Sequence, residues 1–375
     1  MLLWLAILAS IFFVSLLSTK STIQNTNGVI LYVKKSVWKP IYILLTVGLV
    51  VFAGFRSGIG DTGYYMWNFE KYRNLTFDKI SGMKEPGFKT FIILLGKFFD
   101  NPQYFLLVCS AITIVFIFIT LYRYSENLSI SLFLFVTLGF YVSTMNGLRQ
   151  YLVIATLFLA NDLLIKKKML PFIILCILLS TVHTSAFLMI PIYFFVNTEA
   201  WSARKIIVVI GFLIALLFFG DNIVNLIADE ISDSQYGNYT EGLTSANANT
   251  ANVFRVAVVS VPAILSFILR KKFSFDDREY NIYSNMAILT ALLYCMTLKN
   301  WVFARVAMYT NIYSLLLYPM LLNQLSKKHK SLVYISFYLL FTVYYMWDVK
   351  NLTYTSYYFG INKNFIGDFT YSFYS

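Results

Sequence analysis

Residues 104–121 contain no charged side chain, and comparable apolar runs recur along the chain. As a helix, about 18 such residues cross the ~30 Å hydrocarbon core of a bilayer. Lipid offers no hydrogen bonds to a bare backbone, so a spanning segment must be a helix or part of a closed barrel. Barrel strands read as short alternating segments. The runs here are long and unbroken, which selects helices. Only 13% of residues are charged, against about 25% in an average soluble domain. So few charges cannot cover a water-facing surface. The expected fold class is an all-α polytopic integral membrane protein.

The basic residues set the orientation. Lys34-Lys35, Lys166-Lys167-Lys168, Arg270-Lys271-Lys272 and Lys327-Lys328-His329-Lys330 sit in short linkers between apolar runs. The positive-inside bias places such linkers on the cytoplasmic face. The formal net charge of +12 is therefore topological, and no nucleic-acid partner is expected. Residues 1–17 read as a retained first helix, without a basic leader or a cleavage site. Counting from there gives about twelve spans with both termini outside. Residues 88–99 are too short to cross and read as a re-entrant or interfacial segment. The expectation is one transmembrane domain, 1–375, with outer loops 56–89 and 220–252 and a tyrosine-rich tail, 348–375.

Cys109, Cys176 and Cys295 lie in apolar runs and read as packing residues. With two histidines, His183 and His329, and no cysteine–histidine spacing, no metal site and no cofactor are expected.

Ionisable residues near membrane depth are costly and usually face a cavity or a partner. They are few here, and this topology puts them on the outer face. Arg56 and Asp61 fall in the stretch FRSGIGDTGYYMWNFEKY, residues 55–72, beside Tyr64 and Tyr65. Arg149 stands with Asn146 and Gln150 in very apolar surroundings. His183 occupies a turn between two apolar segments, next to Thr184 and Ser185. Arg255 and Lys299 lie at span ends, where snorkelling to lipid head groups is the simpler reading. Arg305 lies about a turn inside its span, with Tyr309 on the same helical face. Each has a plain structural alternative as well. Asp61 can close a loop turn, and His183 can be a hydrogen-bonded structural residue or a general base. The tyrosine pairs also suit an interfacial belt.

Several arginines on one face suit a diphosphate, whose oxygens guanidinium binds bidentately. Aromatic rings suit sugars or an isoprenoid chain. No nucleotide-binding loop is present, so an enzyme of this kind needs a substrate that is already activated. A lipid-diphosphate-linked sugar is such a substrate.

Four segments in order carry a family resemblance. They are Phe52-Ala53-Gly54-Phe55-Arg56 with Gly60-Asp61-Thr62 and Tyr64-Tyr65; Asn146-Gly147-Leu148-Arg149-Gln150 with Ala155; His183-Thr184-Ser185-Ala186 with Pro191; and Arg305 with Tyr309. In sequence and spacing they resemble the EpsG-like branch of the Wzy-type polysaccharide polymerases. The tail after Asn351 lacks the proline-tyrosine ending of many members. The resemblance implies a GT-C-like glycosyltransferase in the bacterial cytoplasmic membrane, acting on its outer face. Its substrate would be an undecaprenyl-diphosphate-linked oligosaccharide, its surroundings membrane lipid, and its protein partners a flippase and a chain-length regulator. It would need no metal. On that reading the catalytic candidates are Asp61, His183, Arg149 and Arg305, with Asp61 or His183 positioning or deprotonating the acceptor hydroxyl. The candidates for substrate or diphosphate binding are Arg56, Tyr64, Tyr65, Gln150, Ser185 and Tyr309, and Arg255 from its place on the outer face.

Two other classes compete. A membrane O-acyltransferase would use His183 as base but leaves the arginines without a task. A flippase or transporter would need polar residues through the full membrane depth.

Overall fold

The computed structural model describes residues 39–232, 252–274, 276–300, 302–325 and 330–351, and three two-residue strands at 19–20, 35–36 and 358–359. The expected first span at 1–17, most of the second outer loop and most of the tail lie outside the described residues. The described chain is almost wholly helical. Its extended pairings are antiparallel and two residues long, Thr19–Lys20 with Lys35–Ser36 and Arg56–Ser57 with Tyr358–Phe359.

Two compact units divide the chain, one drawn from Met1–Asn161, Ile174–Ala186 and Leu325–Ser375, the other from Asp162–Ile173 and Phe187–Gln324. The helices of the first half are α1 (Lys39–Gly54), α2 (Thr62–Tyr72), α3 (Pro86–Gly96) and α4 (Pro102–Tyr124). They continue with α5 (Leu128–Thr137), α6 (Phe140–Asn146), α7 (Leu148–Leu159) and α8 (Met169–Ser180). In the second half come α9 (Met189–Val196), α10 (Ala203–Ser232), α11 (Val253–Leu269) and α12 (Arg278–Met296). The last are α13 (Val302–Asn311), α14 (Ser314–Asn323) and α15 (Lys330–Asn351).

By length and composition, α4 and the helix Val253–Lys272 can each cross a bilayer; α5 and α6, bent by 53°, make a third crossing if they form one span. Among the described residues, seven shorter apolar helices accompany them. Apolar runs long enough to read as single spans, 130–145 and 302–322 among them, are interrupted. Gly139, at φ 78°, turns the chain between α5 and α6, a backbone conformation that side chains with a Cβ rarely adopt. Residues 302–322 are broken at Ile312-Tyr313 into α13 and α14. Helix α3 has 11 residues, about 16 Å of rise, which suits a segment that does not cross. Helix α10 runs on to Ser232, so the stretch expected to be loop from 220 begins as helix.

The surface exposes large apolar side chains, while several polar ones are buried. Leu44, Phe98, Ile207 and Leu339 are exposed to 72%, 78%, 70% and 63%, whereas Arg56, Thr120, Ser131 and Asn285 are fully buried at 0%. A monomer in water rarely shows so many large apolar side chains. Lipid is the solvent that such a surface fits.

In the first unit, α4 is the central post. Pro102 opens it and the Asn101 side chain accepts the Gln103 N–H at 2.9 Å, a regular N-cap. Helices α1 and α7 pack along it. The Tyr42 hydroxyl donates to Phe118 O at 2.6 Å and the Tyr141 hydroxyl to Leu49 O at 2.8 Å, fastening α1 to α4 and α6. Gly54 allows close approach, because a Cβ there would stand 2.8 Å from Leu107 Cα. The apolar core of this unit joins α2, α3, α4 and α7 through Tyr65, Phe69, Phe88, Phe105, Leu148 and Leu152.

In the second unit, a polar knot ties α9, α10 and α12. Lys205 Nζ donates to Thr198 Oγ1 at 2.7 Å and to Asn285 Oδ1 at 2.5 Å, and Asn285 Nδ2 donates to Thr198 O at 2.7 Å. Arg278 donates to Leu164 O and Ile165 O at 2.9 and 3.0 Å. Thr290 and Thr310 join α12 to α13 through their hydroxyls at 2.7 Å.

Candidate functional site

The charged centre of the first unit is built around Glu85. This carboxylate precedes Pro86, the first residue of α3, and its side chain is 2% exposed. Its backbone is left-handed, with φ 52° and ψ 59°. That conformation costs a non-glycine residue of order 1–3 kcal/mol and persists only where the surroundings enforce it. They do so here through the next residues. The backbone N–H groups of Gly87 and Phe88 donate to Thr181 O at 2.9 and 3.3 Å. Gly87 is required by that approach, because a Cβ would lie 2.9 Å from Thr181 Cβ. The start of α3 is thereby docked on the turn that follows α8, which carries His183.

Glu85 bridges three partners. Oε1 accepts from His183 Nδ1 at 2.7 Å and from the Thr184 N–H at 3.2 Å. Oε2 accepts from Arg149 Nη1 in an ion pair whose carboxylate is buried and whose guanidinium is half-buried. Burial works to raise the Glu85 carboxyl; the His183 hydrogen bond, the Arg149 charge and the Thr184 N–H outweigh it and hold the group below its ordinary value. An ionised carboxylate can only accept, so His183 Nδ1 carries a proton.

Arg149, in the first turn of α7, faces two aromatic rings. Its guanidinium carbon lies 5.6 Å from the Phe88 ring centre and 5.9 Å from that of Tyr64, distances at which a cation is attracted by a π face. Its Nε is buried without a hydrogen-bond partner, a state that costs about 1–3 kcal/mol for such a donor. Tyr65 lies against the same guanidinium and is buried, while Tyr64 is exposed to 48%. Beneath this cluster the Phe69 and Phe105 rings stack at 5.2 Å, and Phe88 meets Phe105 edge-on at 6.0 Å.

Of the residues singled out in the sequence, the structure gathers Arg149, His183, Tyr64 and Tyr65. Glu85, which joins them, was not among those residues. Its sequence signal is an acidic residue directly before Pro86 at the head of an apolar helix. Gln150 is buried and Ser185 half-buried, each next in sequence to or near a member of the cluster.

Arg56 is placed differently. It is fully buried, and its guanidinium donates to Ala53 O at 2.6 Å, Thr62 Oγ1 at 3.0 Å, Ser110 Oγ at 3.3 Å and Met145 O at 3.0 Å. Its own carbonyl accepts from Gln103 Nε2 at 3.0 Å. It is a tie between α1, α2, α4 and α6. Asp61 is exposed at the start of α2, where its backbone N–H donates to Asn146 Oδ1 at 3.2 Å and its carbonyl accepts the Tyr65 N–H at 3.0 Å. Gly60, at φ 51°, makes room for that Asn146 side chain. Arg255, Arg305 and Tyr309 belong to the second unit, with Tyr309 buried and both arginines half-buried. Among the described residues no group of three His, Cys, Asp or Glu side chains is placed to hold a metal ion.

The apolar exterior of this helical protein is that of a membrane protein, and its first unit holds a hydrogen-bonded carboxylate–histidine–arginine cluster. The chain belongs to the EpsG family, whose model matches residues 39–363, a family of Wzy-type polysaccharide polymerase-like proteins. At that coarse level it is a glycosyltransferase-like polymerase of exopolysaccharide biosynthesis. No curated protein and no solved structure matches it.

Proposed function

We propose that this chain joins lipid-diphosphate-linked oligosaccharide repeats into polysaccharide, with undecaprenyl diphosphate as the carrier and the outer face of the cytoplasmic membrane as the place of reaction. The growing chain is the donor and leaves its lipid diphosphate behind. A hydroxyl of the incoming lipid-linked repeat is the nucleophile. The observation that carries this reading is the cluster of Arg149, Glu85 and His183 set against Tyr64, Tyr65 and Phe88. A guanidinium among aromatic rings suits a diphosphate next to a sugar or an isoprenoid. It stabilises negative charge as that charge develops on the leaving group. Arg305, with Tyr309, is a second candidate for the diphosphate, and Arg255 for lipid phosphate.

The full reading includes about twelve spans, one transmembrane domain, and a flippase and a chain-length regulator as neighbours in the pathway. The test is reconstitution of the purified chain with a defined lipid-diphosphate repeat, scored as a ladder of products. Arg149→Ala and Arg305→Ala should each remove long products and leave single lipid-linked repeats. Ladders of wild-type length from both variants, at equal amounts of folded protein, would refute the site.

A further inference from the structure

The proposed polymerisation leaves open which group takes the proton from the acceptor hydroxyl, since Asp61 and His183 have both been candidates. We infer that His183 is the base and that Glu85 is its positioning residue, coupling the base to the cation Arg149; this rests on the polymerase reading above.

The geometry supports it in three ways. First, Glu85 fixes His183 through Nδ1 at 2.7 Å, so in the neutral ring one tautomer is selected and Nε2 is the nitrogen with the basic lone pair. A carboxylate that holds an imidazole in this way orients it and stabilises the imidazolium formed on proton uptake. Second, His183 and Glu85 are both buried while Asp61 is exposed. An orienting hydrogen bond acts more strongly in the low-dielectric interior than in water. Third, the backbone around Glu85 is shaped for the task. The left-handed Glu85, the Gly87 contact and the Thr181 carbonyl together place a carboxylate between His183 and Arg149, at a cost in backbone strain that a simple loop would avoid.

The step balances as follows. The acceptor O–H proton passes to His183 Nε2. The hydroxyl oxygen forms a bond to the anomeric carbon of the donor glycan. The bond from that carbon to the diphosphate oxygen breaks, and the electron pair leaves with the lipid diphosphate, beside Arg149. The imidazolium then returns its proton to the leaving diphosphate or to water. No oxidant, reductant or metal enters.

Glu85 must accept three hydrogen bonds, from His183, Thr184 and Arg149. Glutamine at this position keeps the shape but presents one acceptor oxygen and one NH2 group, which meets a donor wherever it turns. The test uses the full chain in vesicles with a synthetic lipid-diphosphate repeat. Turnover and KM for the repeat are measured per folded molecule, together with the thermal midpoint. For Glu85→Gln, turnover should fall about 100-fold or more while KM changes less than about threefold. His183→Ala should do the same. The double variant should be no slower than the slower single, because the two residues act as a unit. Glu85→Asp, with its carboxylate retained, should recover part of the loss. A purely structural Glu85 would give a loss that tracks the folded fraction and the thermal midpoint, with no recovery of turnover in Glu85→Asp beyond that of stability. If Glu85→Gln is too unstable to assay, the Glu85→Asp and His183→Ala pair still decides, since independent losses that multiply overturn the coupling. Wild-type turnover in Glu85→Gln beside an active wild type overturns the inference alone. A wild-type chain that forms no ladder overturns it together with the polymerase reading.

Discussion

Replacement of Arg56 separates a structural tie from a substrate-binding residue. The guanidinium is fully buried and donates four hydrogen bonds, two of them to backbone carbonyls, Ala53 O and Met145 O. A hydrogen bond to a charged group contributes about 1.5–3 kcal/mol, but bonds that share one guanidinium do not add. Alanine would also leave a void and strip a donor from each of four buried oxygens. We expect Arg56→Ala to destabilise the first unit by about 3–5 kcal/mol, in the range of other broken buried networks. Lysine carries its three donors on one nitrogen and cannot span from Ala53 O to Met145 O, so Arg56→Lys should recover less than half of that loss. The assay is the fraction of monodisperse protein surviving a heating series in detergent, set beside polymer formed per folded molecule in vesicles. Polymer should fall only as folded protein falls. An Arg56→Ala variant that keeps its thermal midpoint and makes no polymer would refute this reasoning and return Arg56 to the substrate site.

Further outcomes follow from the same contacts. Gly87→Ala should push the start of α3 from Thr181 and cut turnover at least about tenfold, since small misplacements of catalytic groups are costly; Gly82→Ala, which meets nothing within 4 Å, is its silent control. Phe69→Ala empties a fully buried site in the aromatic core and should cost about 3–5 kcal/mol in a heat or denaturant series. Tyr42→Phe removes the hydroxyl bond to Phe118 O, with an expected loss of about 1 kcal/mol and unchanged polymer per folded molecule. For Glu85 the folded carboxyl lies below its ordinary value of 4.5. Its stabilisation is therefore full above that pH and is lost as the pH falls through the lower, folded value. The thermal midpoint of the wild type should drop in that acid window, and the drop should be smaller in Glu85→Gln.

How far the site could be read in the sequence depended on whether a residue's neighbours are local. Arg149 and His183 stand out because each is an ionisable group in an apolar neighbourhood, and such groups are rarely idle. Glu85 does not stand out, because it lies in an outer segment with charges of both signs. Its partners are 64 and 98 residues away, and its conformation is set by Thr181. Arg56 was visible for the same reason as Arg149, but its four acceptors come from four separate helices or turns. The helical class was legible from composition and run length alone. The breaks at Gly139 and at Ile312-Tyr313 were not, since the apolar pattern continues unbroken across both.

The long reach of Glu85 also bears on how the chain is made. Synthesis delivers the carboxylate first, Arg149 64 residues later and His183 98 residues after Glu85. Until Arg149 is made the head of α3 has no cation, and until Thr181 is made it has no carbonyl on which to dock. An unpaired carboxylate is strongly disfavoured in hydrocarbon, so in the nascent chain this short helix must wait in the aqueous or head-group layer. It settles only when the hairpin bearing Thr181 and His183 has been inserted. A quality-control protease that samples unfinished membrane proteins would meet α3 in that interval. Closure of the Glu85 cluster then marks the moment at which the head of α3 is seated, before residues 325–375 of the same unit have been made.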